Sequence, residues 1–442
     1  MIAFIGLLLV LLPLPNMNEA ANVLIMPSSL FPVHRFTMRT LAKELIKRKH
    51  NVTWVEYGFS RKSKISLPKE IDEIFWRVKS SNQEINDLYL HRNHSVHSRI
   101  WDADFNDDTE QTTAWLASIK MCEQILLTRK QEFDALVTKN FTTVIVDDLY
   151  NPCGLLLVGL QKSVFIYWSM TVLRTESAWS SQSPNSPSYL PVFGTRFTDD
   201  LTFLQRLYNF ASYFRSLYIH QHLILRRIDN LYKKYYADTL ANAYYIERNV
   251  SINFVNTPQI FDFARPYMPR VAFIGAIECR KANLLRREWL TFIDKADAKN
   301  GFILFTTGFT AQWNLAPKQV IESFVQTFAK MREIHFIWQY NGPNILNLSA
   351  NVYIAEWLPQ QDLLGHPKAR AHITHGGLNS VIESVWHGIP VIGYPLTTSG
   401  YDNLLRLTAR NVGIMLEKRD LSEGNIAKAI KEIYNSKKVL IF

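Results

Sequence analysis

The chain has 442 residues, of which 47% are hydrophobic and 20% charged, with 17 glycines, 18 prolines and 3 cysteines. That composition excludes a disordered, collagenous or disulfide-scaffold protein, and the length suits two or three domains, each able to bury its own core. The formal charge of +10 comes from 49 basic and 39 acidic residues without a long Lys/Arg run, so nucleic acid is not expected as a partner.

The first residues read as targeting rather than fold. Ile2 to Leu12 is an unbroken run of apolar residues and glycine, followed by Pro13 and Pro15 and by the small residues Ala20 and Ala21. A secretory signal peptide over residues 1–20 is expected, because such a run is too short for a hydrocarbon core that needs about 20 apolar residues. Five N-x-Ser/Thr sequons, at Asn51, Asn93, Asn140, Asn249 and Asn347, are compatible with a lumenal chain. Cys122, Cys153 and Cys279 have no metal-ligand spacing, so at most one internal disulfide is expected and no zinc site.

From Asn22 the chain alternates strands and helices. Val23 to Met26 and Val52 to Tyr57 are extended apolar runs on either side of a helical pattern from Arg35 to Lys49. The alternation returns at Thr143 to Val146 and Val164 to Tyr167, and again at Phe302 to Phe305, Ile334 to Trp338, Ala371 to Thr374 and Val391 to Gly393. This predicts two doubly wound α/β domains, residues 21–255 and 281–442, joined by a proline-marked linker over 256–280. Between Leu201 and Tyr236 aromatic residues crowd together with Arg206, Arg215, Arg226, Arg227, Lys233 and Lys234. Such a stretch can lie in a membrane interface or form a helical hairpin packed on the first domain, and the packed hairpin is the expectation.

The most informative stretch runs from Trp357-Leu358-Pro359-Gln360-Gln361 through Thr374-His375-Gly376-Gly377-Leu378-Asn379-Ser380 to Glu383. A strand ends at Thr374, two glycines let backbone approach a ligand, and a helix begins whose first N–H groups point at it, which makes an anion site. His375, Asn379 and Ser380 add donors at that helix end. Glu383 lies one turn further on the same face, where the ribose of a bound diphosphate would sit, while Trp357 can stack on a base and Gln360 offers an amide edge. In the first half, His34 follows the first strand at the start of a helix, where a neutral imidazole able to accept a proton is expected. Asp147 and Asp148 end another strand and compete to be its partner.

With these motifs the chain resembles the animal UDP-glycosyltransferases, the glucosyl- and glucuronosyl-transferase family, in a nematode-like form. The resemblance is densest from Asn253 to Cys279 and from Trp357 to Asn403. It implies a GT-B fold of two facing Rossmann-like domains, with acceptor bound by the first and sugar nucleotide by the second. It implies that Trp357 stacks on uracil, that Gln360 and Glu383 hold uridine and ribose, and that His375, Gly376, Gly377, Asn379 and Ser380 hold the diphosphate. His34 matches the catalytic histidine and Asp148, five residues before Cys153, the aspartate that orients it. The implied reaction is inverting transfer of a hexose, glucose before glucuronic acid, from a UDP-sugar to a hydroxyl of a small lipophilic acceptor, with no metal and no other cofactor. A lumenal, endoplasmic-reticulum setting is implied as well, with membrane association and self-association both left open.

Two departures stand out. Where the family places an acidic residue and glutamine on the donor sugar, this chain has Ser399-Gly400, and the hydroxyls of Thr397, Thr398 and Ser399 are the candidate replacements. Phe309 stands where a serine is usual, and the sequence stops before the returning helix and membrane anchor of the family, which reads as truncation. The lost sugar contacts leave a sugar-nucleotide-binding pseudoenzyme as the alternative; the presence of His34 with an aspartate favours the enzyme.

Overall fold

A computed structural model describes residues 20–28, 30, 32–59, 66–79, 99–102, 110–161, 163–236, 242–295 and 300–435. The expected signal peptide lies outside the described residues. In the first domain β1 (Asn22–Met26), α1 (Pro32–Lys47), β2 (Asn51–Gly58) and β3 (Asp72–Arg77) are followed by α2 (Glu110–Thr128), α3 (Lys130–Thr138), β4 (Thr143–Asp147), α4 (Pro152–Leu160) and β5 (Val164–Ser169). Then come α5 (Thr175–Ser180), α6 (Phe203–Tyr218), α7 (Arg226–Tyr236), α8 (Ala243–Arg248), β6 (Ile252–Val255) and β7 (Val271–Phe273), a π-helical turn joining α6 to α7. These strands form one parallel sheet in the order β3-β2-β1-β4-β5-β6-β7.

Strand β1 shows why the sheet sits between helices. Leu24 and Met26 pack into one apolar layer, Val23 and Ile25 into the other, so both faces of the strand are covered. A disulfide joins Cys122 on α2 to Cys153 on α4. The last strand falls inside the segment expected as linker: Val271 pairs with Asn253, so the first sheet ends at β7 and the chain crosses over after it.

The second domain contains α9 (Arg287–Ile293), β8 (Phe302–Thr306), α10 (Lys318–Lys330), β9 (His335–Gln339), β10 (Val352–Ala355), α11 (Gln360–Leu364) and β11 (Ala369–Thr374). It ends with α12 (Leu378–Trp386), β12 (Val391–Gly393), α13 (Thr398–Thr408), β13 (Gly413–Met415) and α14 (Glu423–Asn435). Its parallel sheet has the order β10-β9-β8-β11-β12-β13. In both sheets the strand order reverses beside the first strand, between β1 and β4 and between β8 and β11, and open α/β sheets bind ligands at the carboxyl ends of such strands. A clasp adds to the contact between domains: Ile100 and Trp101, from the first half of the sequence, pack in the core of the second domain, the Trp101 ring 5.1 Å from that of Trp313. Lys418 Nζ donates to the Asp102 carbonyl beside it, at 3.4 Å.

The stretch from Leu201 to Tyr236 is helical as expected, but only half of it packs as a hairpin would. Ile224, Leu225, Ile228, Leu231 and Tyr232 enter the first core, whereas most of α6 turns its apolar side chains outward.

Candidate active site

The two reversal points face one another across a cleft of about 460 Å³, a size suited to a small-molecule ligand. On the first-domain wall, His34 is the third residue of α1 and is buried. Its Nδ1 is paired with the carboxylate of Asp147, at the end of β4. That carboxylate also accepts from the backbone N–H of Ser28 at 3.3 Å and of Leu149 at 3.1 Å. With Nδ1 protonated against a fixed carboxylate, Nε2 is the nitrogen that takes up a proton. Arg35, next in sequence, turns to Glu56 and Glu73.

The aspartate that touches His34 is therefore Asp147 and not Asp148. The reason is the alternation of a strand: successive side chains leave on opposite sides, so only one of two adjacent aspartates can reach α1. Asp148 faces the other way and accepts from Ser169 Oγ at 2.5 Å and Ser177 Oγ at 2.7 Å. Burial, and then the neighbouring Asp147 charge, push its carboxyl up to about 7.

On the second-domain wall, β11 ends at Thr374, Gly376 adopts φ +88, and α12 starts after Gly377. A Cβ on Gly376 would lie 2.3 Å from the Gly400 carbonyl, so the backbones of the α12 and α13 entries touch. His375 lines the cleft, and burial lowers its imidazole to about 4, which keeps it neutral. Its Nδ1 is buried with no partner among the described residues. Gln360, at the start of α11, accepts from Thr306 Oγ1 at 2.7 Å and donates to Glu383 at 2.6 Å and Ser380 at 3.2 Å. Burial raises the Glu383 carboxyl to about 7. Trp357 is 52% exposed at the cleft mouth, its ring 4.9 Å from that of Phe309.

The family model described as "UDP-glucoronosyl and UDP-glucosyl transferase" matches residues 21–440. The chain belongs to this family. Human UDP-glucuronosyltransferase 2B17 is 26% identical over 95% of this chain and 78% of its own length. Bovine UDP-glucuronosyltransferase 3A1 is 31% identical over 71% of this chain and 59% of its own. The rat 2-hydroxyacylsphingosine 1-beta-galactosyltransferase is 26% identical over 95% of this chain and 74% of its own. Among solved structures, a UDP-glucosyltransferase from Polygonum tinctorium superposes with a TM-score of 0.63 at 18% identity, over 95% of this chain and 90% of the other. Phytolacca americana UGT2, complexed with UDP-2fluoro-glucose and pterostilbene, gives 0.60 at 16% identity, over 95% and 91%. The fold is GT-B, and the protein is a UDP-glycosyltransferase.

Within this transferase most of the expected donor-side residues converge. Trp357, Gln360, His375, Gly377, Asn379, Ser380, Glu383 and Ser399 all line the cleft, and Gly376 sits behind them against the Gly400 carbonyl. Asn379 also reaches across to the first domain, donating to Thr37 Oγ1 at 3.2 Å and accepting from Asn256 at 3.4 Å. Thr398 departs from expectation: it is buried and lines a second, smaller cavity, while Thr397 and Ser399 face the cleft. The helical turn at the start of α13 separates adjacent side chains by about 100° and so sends Thr398 away. Thr397 caps α13, accepting from the Gly400 N–H at 3.1 Å.

Sequence reasoning missed Thr306 and Gln339. Gln339 accepts from the N–H groups of Thr307 and Gly308, at 3.0 and 2.8 Å, and holds the loop after β8 in place. A polar residue closing the apolar run Phe336-Ile337-Trp338 was the available signal.

Proposed function

We propose that this UDP-glycosyltransferase moves a neutral hexose, glucose before glucuronic acid, to a hydroxyl of a small lipophilic acceptor, in one inverting displacement. The observation that carries the reading is the paired His34–Asp147 on one wall of the cleft, facing the start of α12 on the other.

His34 Nε2 takes the acceptor hydroxyl proton as the oxygen forms its bond to the anomeric carbon. The bond from that carbon to the phosphate oxygen breaks on the far side, and its electron pair leaves with UDP. Asp147 stabilises the imidazolium that results, and base catalysis of this kind is worth about 10²–10⁴-fold. The N–H groups at the start of α12, with neutral His375, receive the charge developing on the diphosphate. Trp357, Gln360, Ser380 and Glu383 hold the nucleoside, and Thr397 and Ser399 contact the sugar in place of the family's acidic-Gln pair. The neutral-sugar preference follows from charge: Arg174 and Arg280, which line the cleft, are paired with Glu176 and Asp362. Little positive potential is left for a uronate. Leu30, Val33, Phe36, Leu149 and Met170 give the first-domain wall its apolar character, which suits a lipophilic acceptor.

Thermal stability of the purified chain with UDP, UDP-glucose, UDP-glucuronate, UDP-galactose and UDP-N-acetylglucosamine tests the donor side, because a ligand of the folded state raises stability by RT ln(1 + [L]/Kd). UDP-glucose should stabilise more than UDP-glucuronate, and the reverse order overturns the donor reading. His34→Ala should abolish transfer and leave the UDP shift intact; transfer near the original rate removes His34 as the base.

A further inference from the structure

Among the described residues, α6 is the helix along which large apolar side chains turn outward over its whole length. Phe203, Leu204, Leu207, Tyr208, Phe210, Phe214 and Tyr218 are 51 to 80% exposed, whereas only Asn209 and Leu217 of this helix are buried. At 100° per residue, Phe203, Leu207, Phe210, Phe214 and Tyr218 fall within an arc of about 80° and run along roughly 24 Å of helix. Along the helix Phe210 and Phe214 are 4.9 Å apart and Tyr213 and Phe214 5.6 Å, and Tyr208 packs against Phe197 at 5.8 Å. Monomeric soluble proteins rarely leave so continuous an apolar stripe in water.

The charges around it indicate what covers it. Arg206 and Arg215 border the stripe on its two sides, about 180° apart around the helix, and both are exposed. Arg226, Arg227, Lys233 and Lys234 are exposed on the continuation through α7. Lys234 is paired with Glu123 of α2 at 2.7 Å, and within residues 203–236 these six cations share a single carboxylate, Asp229, which accepts from the Ala243 N–H at 2.6 Å. Two copies meeting through this stripe would bring arginine margins against arginine margins.

We propose that α6 docks on the surface of an anionic lipid bilayer, its Phe/Leu/Tyr stripe sunk to the level of the acyl boundary and its arginines at the phosphates. Aromatic side chains suit that depth, and basic residues beside an anionic surface add about 1 kcal/mol each. The inner side of the same helix, through Ser212 and Ser216, and its margin, through Tyr208 and Arg215, wall the smaller cavity, which shares Phe193 with the main cleft. Docking therefore brings the acceptor side of the cleft to the lipid surface. That consequence rests on the acceptor class proposed above; the docking itself does not.

Co-sedimentation of the purified chain with phosphatidylcholine vesicles, with and without phosphatidylserine, tests the proposal. The chain should pellet with the phosphatidylserine vesicles, and less so at high salt. Phe210→Ser with Phe214→Ser should abolish pelleting, and Arg206→Glu with Arg215→Glu should weaken it by about tenfold or more. Each variant should keep the melting temperature and UDP-induced shift of the parent, which separates failure to dock from failure to fold or to bind nucleotide. A chain that stays in the supernatant, or variants that pellet like the parent, overturns the proposal. So does a dimer in light scattering that Phe210→Ser with Phe214→Ser dissolves, since the stripe would then belong to a second copy.

Discussion

The two walls of the cleft occupy equivalent positions in two equivalent sheets, yet they are finished to different degrees. On the first-domain wall, the Asp147 carboxylate has His34 and two backbone N–H groups as partners. On the second-domain wall and just behind it, His375 Nδ1 and both carboxyl oxygens of Glu278 are buried without partners among the described residues. Burial holds the Glu278 carboxyl above its ordinary range. The first wall also leaves buried atoms without partners among the described residues, Ser28 Oγ and Asp148 Oδ1, so the walls differ in the groups placed for chemistry. His34 already has its carboxylate, whereas His375, at the anion site, has a buried nitrogen left to gain from a ligand. One side is assembled for chemistry in advance, and the other is completed by what it binds.

The sharpest way to break this comparison is at the two aspartates. Asp147→Asn should lower kcat by at least about 10²-fold with UDP affinity unchanged, because the imidazolium loses its counter-charge. Asp148→Asn should leave kcat within a few-fold, since that carboxyl accepts from Ser169 and Ser177 on the side away from His34. Equal losses in the two variants would return Asp148 to the role expected of it from sequence. Next in size is the disulfide behind the prepared wall: Cys122→Ala with Cys153→Ala should reduce unfolding free energy by about 3–4 kcal/mol in denaturant titration. The UDP-induced shift should persist, because the bridge lies wholly in the first domain.

Gly376→Ala acts on the opposite wall. The φ of +88 and the 2.3 Å approach to the Gly400 carbonyl leave no room for a methyl group. Strain of about 1–3 kcal/mol at that turn should reduce or remove the UDP-induced shift while His34 stays where it is. The smallest expected effect is a pH dependence. Burial raises the Glu383 carboxyl from 4.5 to about 7. The folded state then binds more protons than the unfolded state over that range, so the contribution of Glu383 to stability declines as pH rises from 4.5 to about 7 and levels off above it. A ribose hydroxyl donates best to the ionised form, so UDP affinity should climb a few-fold through the same range in calorimetry. In Glu383→Gln the climb should flatten.

Much of this site was legible because it lies in local patterns. The turn from Thr374 to Ser380 carries its glycines, donors and helix start within a few residues, and His34 follows its strand directly. What was not legible depends on direction in space. The spacing of Asp148 to Cys153 counts residues along the chain, but strand alternation decides which aspartate meets α1. The same holds for Thr398, which is adjacent to Ser399 and faces a different cavity. The strands not anticipated, β3, β6, β7, β10 and β13, are three to six residues long and several stand at sheet edges, where the apolar run is too short to announce itself. The exposure of α6 was hidden for a related reason: an aromatic-rich helical period has the same sequence whether the stripe turns toward a core or away from it.

The clasp at Ile100 and Trp101 changes how the two domains can move. A pair of bodies joined by one linker can twist, tilt and slide relative to each other. Here the chain ties them a second time, through a tryptophan set into the opposite core against Trp313. Parting the domains far enough to free this segment would draw Trp101 off Trp313 and bring apolar surface of both rings into water, a cost that the linker alone does not impose.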